Sequence, residues 1–208
     1  MFGLALHTST PQLGFALSDF QSIHRHQDWD LGRDLSRQLH QLLGDFLAPQ
    51  AWSDLTFIAV CIGPGGFTGT RIGVATARTL AQQLQLPLFG ISALGAVAYP
   101  TEQAYPPDTD IAVTMPAKRG AVYGGIYRWN GKTLSSVSAD QILPAPDWQI
   151  YLEQWSRPLK TVEIDAAAGL GYSAPALLQL SYEAWQAGER PVWHQALPFY
   201  GQQPVAAR

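Results

Sequence analysis

The chain has 208 residues, 47% hydrophobic and only 14% charged, with a net charge of −3. That length holds one large domain or two small ones with a sizeable core, and the sparse charge predicts that another protein covers part of the surface. The slight acidic excess argues against strong nucleic-acid binding by this chain alone, because neutralising phosphates takes clustered Lys and Arg.

No apolar run nears the ~20 residues of a membrane span, and Met1-Phe2-Gly3 does not read as a signal peptide. The single cysteine, Cys61, makes no internal disulfide and suits a reducing cytoplasm.

Phe2 to His7 is a short apolar run, followed by the turn Thr8-Ser9-Thr10-Pro11. Gly14 to Leu17 and Ser22 to Trp29 complete an antiparallel meander. Leu35, Leu39, Leu42, Leu43 and Phe46 then recur as one stripe of an amphipathic helix that Pro49 ends. Phe57 to Ile62 reads as a buried strand. The glycine loop Gly63, Pro64, Gly65, Gly66 and Thr68 leads from it into a helix over residues 70–84. Pro87 to Ile91 is a strand and Ser92 to Tyr99 a short helix.

Pro100 to Asp110 is proline-rich and marks a boundary between domains 1–100 and 101–208. Beyond it, Asp110 to Met115, Gly120 to Trp129 and Thr133 to Val137 repeat the three-strand run, the last pair joined at Asn130-Gly131. Pro146 to Trp155 and Ala174 to Ala187 are helical, with Val162 to Ile164 a strand between them. The end, rich in Pro, Gly and Gln, is expected to fray. The order predicts an α/β chain of two ribonuclease-H-like β-β-β-α-β-α domains, an actin-like (ASKHA) fold.

The central helix carries Gly69, Gly73, Ala77 and Ala81 at every fourth position, so small residues line one face and admit a close backbone. The loop before it invites a phosphate-cradle reading, but Thr68-Gly69-Thr70-Arg71 lacks the P-loop lysine, and a tight strand-to-helix turn is the simpler account. His24 and His26 share a strand face, and no histidine spacing matches a zinc site. Asp140, Asp147 and Asp165 fall on turns without a paired carboxylate. Lys118-Arg119-Gly120 reads as a basic turn. No metal and no cofactor are expected.

The string Gly63-Pro-Gly-Gly-Phe-Thr-Gly-Thr-Arg-Ile-Gly73 closely resembles the signature of the bacterial TsaB family. Residues 4–10, Pro87 to Ser92, Ala117 to Tyr123 and Ala174-Pro175 match further landmarks of that family. The resemblance implies a non-catalytic, cytoplasmic scaffold. Such a subunit pairs with the transferase TsaD, assisted by the ATPase TsaE, in making threonylcarbamoyladenosine in tRNA. It further implies docking through a helical bundle, here residues 33–47 and 69–84. The expected contacts are Leu35, Leu39, Leu42, Leu43, Phe46, Gly69, Arg71, Ile72, Gly73, Thr76, Ala77 and Leu80. A homodimer through the same surface is expected when the partner is missing. His7 stands where the family usually has aspartate. The competing readings are a nucleotide-binding actin-like enzyme using the Gly63–Gly66 loop and, more remotely, a peptidase.

Overall fold

The computed structural model describes residues 1–99, 105–165 and 167–199. Its strands are Phe2–His7 (β1), Gln12–Ser18 (β2), His24–Asp30 (β3), Leu55–Cys61 (β4), Leu88–Ile91 (β5), Thr109–Pro116 (β6), Ala121–Trp129 (β7), Leu134–Pro144 (β8) and Leu159–Glu163 (β9). Its helices are Leu35–Leu47 (α1), Phe67–Leu84 (α2), Ala93–Ala98 (α3), Ala145–Glu153 (α4) and Ala174–Gln186 (α5). The chain divides into two units: Met1–Ala93 with Gly169–Pro198, and Leu94–Ala168 with Phe199–Arg208.

In the first unit the strands lie in the order β3-β2-β1-β4-β5. β1 is central, antiparallel to β2 and parallel to β4. Its side chains alternate between the two faces, as a period of two requires. Leu4 and Leu6 join Leu13, Phe15, Ile58 and Val60 in the cluster that α1 and α2 cover. Gly3 lies on the other face, where its missing side chain leaves room for Phe57 and for Leu178 of α5. Three layers result: two helices, the sheet, and α5.

The return of α5 to the first unit differs from the sequence-based boundary, which placed everything after residue 100 in the second domain. The reason is burial. Ala174, Leu177 and Leu178 are sealed within this unit, and the Leu170 amide donates to Thr10 Oγ1 at 2.9 Å. Residues 100–104, where the linker was expected, and the 200–208 end lie outside the described residues.

The second unit repeats the scheme as β8-β7-β6-β9, the order of the first unit without a fifth strand among the described residues. Two of its strands were under-read. β8 runs on to Pro144 through polar residues that the hydrophobic pattern passed over, and β9 begins at Leu159 rather than Val162. The two units together make the chain an actin-like α/β protein with a reduced second half.

α4 closes the second unit by laying Trp148 across Gly124, where any side chain would strike the indole, while Trp148 Nε1 donates to Thr114 Oγ1 at 2.8 Å. The start of β6 is held by Asp110. It is fully buried and accepts from Arg128 Nε at 2.6 Å, Arg128 Nη2 at 3.0 Å and Trp155 Nε1 at 3.0 Å, with Arg157 Nε at 3.2 Å. The Arg128 hydrogen bond, helped by Trp155 and Arg157, holds the Asp110 carboxyl below the usual carboxylate range against the opposing effect of burial.

Asp110→Ala would strand these donors. We expect a loss of about 2–3 kcal/mol, less than for a sealed pair because both arginines are partly exposed. Urea unfolding followed by tryptophan fluorescence measures it. An unchanged midpoint would show that the network adds nothing.

Candidate functional site

The glycine signature is built against the turn that follows β1. The Gly66 amide donates to the Ser9 carbonyl at 2.6 Å, and a Cβ on Gly65 would collide with that same carbonyl. Gly66 is the extended residue before α2, so the helix begins at Phe67, three residues earlier than the expected Thr70. Thr70 then returns both its amide and its hydroxyl to the Gly66 carbonyl, at 3.0 and 2.9 Å.

One turn on, Thr8 Oγ1 donates to the Gly69 carbonyl at 2.9 Å. A Cβ on Gly69 would fall on the Thr8 carbonyl, and one on Gly73 would fall on the Thr8 hydroxyl. The backbone that the small-residue stripe admits is therefore the chain's own. Ala77 and Ala81 continue the stripe, fully buried in the first unit's core.

This geometry places much of the expected contact set in the chain's own core. Leu35, Leu39, Leu43, Phe46, Gly73 and Ala77 are all buried within the first unit. Their stripe binds α1 and α2 to the sheet, which is what an amphipathic helix needs first. Leu42 is half-buried on the core flank of α1. Gly69 is taken up by Thr8. Arg71 is exposed, its guanidinium 5.1 Å from the Phe67 ring centroid.

Ile72, Thr76 and Leu80 remain half-buried and line an apolar groove between α1 and α2 of about 610 Å³. Leu43 and Trp52 complete its floor, and Ser36, His40, Ala75 and Thr79 its walls. These four wall residues were not in the expected set. Ser36 and His40, like Ala75 and Thr79, stand four apart beside the buried stripes, and that spacing was the available signal. Trp52, in the loop before β4, gave none.

A second cleft, of about 510 Å³, lies at the start of α2, between Thr8–Pro11, Arg33 and Phe67–Gly69. Arg33 is its only charged lining residue. Thr68 opens onto it, while Gly63 and Pro64 are buried beneath, the Gly63 carbonyl accepting from the Ala93 amide at 2.8 Å.

Behind the turn, Ser9 Oγ stands 3.5 Å from His7 Nε2 and 3.2 Å from Cys61 Sγ, with all three residues at 0% exposure. Burial lowers the His7 pKa to about 3, so the ring is neutral. A serine beside a histidine suggests a nucleophile, but no substrate atom reaches a sealed hydroxyl. His7 lies in the core and not on the wall of either cleft. Lys118-Arg119-Gly120 forms the β6–β7 turn, Arg119 and Gly120 both left-handed at φ 59° and 71°. Among the described residues no three His, Cys, Asp or Glu side chains gather as a metal set, and no helix is long and apolar enough to cross a membrane.

The model of a protein family described as TsaD, tRNA N6-adenosine threonylcarbamoyltransferase, matches residues 32–194. The tRNA threonylcarbamoyladenosine biosynthesis protein TsaB of Bacillus subtilis (strain 168) is 35% identical over 161 residues, 75% of this chain and 68% of that protein. The TsaB of Escherichia coli (strain K12) is 28% identical over 150 residues, 67% of this chain and 63% of that protein. The solved structure of YeaZ from Pseudomonas aeruginosa is 27% identical, covers 96% of this chain and 100% of its own, and superposes with a TM-score of 0.76.

Two outcomes follow from the geometry. Gly73→Leu unfolds the first unit instead of acting at a surface, visible as lost cooperative melting by circular dichroism; a normal melt would contradict the Thr8 packing. His7 gives an acid dependence. Its folded pKa of about 3 lies below the ordinary 6.5, so the unfolded chain takes up the proton first. Stability is full above 6.5 and falls toward pH 3 by about 1.4 kcal/mol per pH unit. His7→Leu should flatten this slope between pH 7 and 5; an equal slope would place the titration elsewhere.

Proposed function

We propose that this chain, which belongs to the TsaB family, is a non-catalytic subunit in the synthesis of threonylcarbamoyladenosine in tRNA. It docks a TsaD-like transferase through the α1–α2 groove, and a TsaE-like ATPase assists the pair. The groove is the observation that carries the reading. It is apolar, open, and framed by two helices whose own stripes are already spent on the core. Paired helices can then interdigitate with a second pair, ridge into groove. The reacting groups come from the partner, because the one serine–histidine contact of this chain's glycine-loop region is sealed. The small-residue stripe serves indirectly, by fixing the angle at which α2 leaves the loop.

Ala75→Arg and Thr79→Arg test the docking. Both residues are exposed on the groove wall, so the fold should survive. We expect each to weaken co-purification with a TsaD-like protein by roughly 30-fold, the effect of blocking an interface hot spot. Threonylcarbamoyladenosine formation by the reconstituted mixture should fall with it. Undiminished binding by both variants would rule out the groove as the docking site.

A further inference from the structure

The two units differ at one sheet edge. In the first, β5 pairs with the outer side of β4, and α2 covers the face beside α1. In the second, β9 holds the place of β4, parallel to β6, the counterpart of β1. Residues 164–168 alone separate β9 from Gly169, where the first unit resumes. Among the described residues no strand pairs with the outer side of β9.

An edge and a groove result. The Ile164 amide donates inward to the Thr114 carbonyl at 2.8 Å. Main-chain groups alternate along a strand, so those of Leu159, Thr161 and Glu163 point outward, away from β6. Their side chains line a groove of about 580 Å³ between β9 and α4, with Trp148, Leu152 and Val122 as its apolar floor. Lys160, the one cation of β9, alternates to the opposite face. The only charged residues lining the groove are Glu153 and Glu163. Both are exposed, and neither is in an ion pair among the described residues. Glu163 ends β9. Glu153 ends α4, two residues before Trp155, whose indole reaches Asp110 beside Leu159. The groove therefore has a carboxylate at each end.

We propose that β9 accepts an extended segment of a partner protein as a fifth strand, with a basic, an apolar and a basic residue at alternate positions facing the groove. Strand addition gives affinity through main-chain hydrogen bonds and specificity through alternate side chains. Leu159 to Glu163 spans about 13 Å at the usual strand rise. Two cations four residues apart on one face then meet the two carboxylates, and the residue between them enters over Trp148 and Leu152. A second copy of this chain fits poorly. Its own basic-apolar-basic spacing, Arg33-Asp-Leu-Ser-Arg37, is spent on the start of α1 with Leu35 buried. The proposal concerns the second unit and stands whether or not the α1–α2 groove docks a TsaD-like protein.

The full chain is titrated into two labelled, end-blocked peptides. One is Thr-Lys-Thr-Val-Thr-Lys-Thr and the other has glutamate for each lysine. Fluorescence anisotropy is read at about 0.1 M salt, where the Debye length is about 10 Å. We expect the lysine peptide to bind at least about tenfold more tightly, and Glu153→Lys with Glu163→Lys to reverse the order. Thr161→Pro should abolish binding of the lysine peptide yet melt as wild-type does, because the amide it removes points outward and takes no part in the ladder to β6.

Equal affinity for the two peptides would overturn the proposal, as would no binding of the lysine peptide up to about 1 mM. So would a dimer that Thr161→Pro splits, which would give the edge to a second copy. Should Thr161→Pro fail to fold, the reversal of the two exposed glutamates still decides.

Discussion

The contact between Thr8 and the first two turns of α2 governs the first unit. It joins the end of the central strand to the helix that follows the glycine loop, and it leaves no room for a side chain at Gly69 or Gly73. Glycine inside a helix costs roughly 1 kcal/mol against alanine. The close approach and the Thr8 hydrogen bond offset that cost. With α2 pressed onto β1 at this point, its buried stripe of Val74, Ala77 and Ala81 faces the sheet, and its opposite side, from Ile72 through Thr79, faces out.

The groove follows from that placement. α1 packs by its leucines on the same face of the sheet, and its carboxyl end is fixed by Arg25, which donates to the carbonyls of Leu47 and Ala48 at 3.1 and 2.6 Å. The helices meet the sheet more fully than they meet each other, and the shallow channel between them is lined from both. A phosphate cradle would need the loop's amides and glycines free, yet Gly65 and Gly66 are committed to Ser9. The same residues that resemble a nucleotide loop in spacing act here as a structural clasp.

Much of the fold was legible in the sequence. The three-strand run, the leucine period and the central strand–loop–helix each carry a strong local pattern, and the repeat of strands after Asp110 exposed the duplication. What was not legible depended on distant partners. No local signal told that α5 would close the first unit, since Ala174, Leu177 and Leu178 look the same against either sheet. The two helices named in the sequence frame the groove, and the stripe named on them is buried in the first unit's core. Leucines and glycines at regular spacing announce that something packs closely, but not whether it is another protein or the chain's own Thr8. Ser36, His40, Ala75 and Thr79 carry no signal beyond their four-residue spacing beside the buried stripes, and their place on the groove is set by the rotation of two helices on a sheet.

The central claim is that the partner covers the outward side of α2 and not its buried stripe. Thiol labelling of Ala75→Cys tests it directly, because the native Cys61 has no exposure and stays silent. With a saturating TsaD-like partner, alkylation at position 75 should slow by about tenfold or more, as expected for a residue desolvated at an interface core. A complex that forms while position 75 reacts at its free rate would contradict the account.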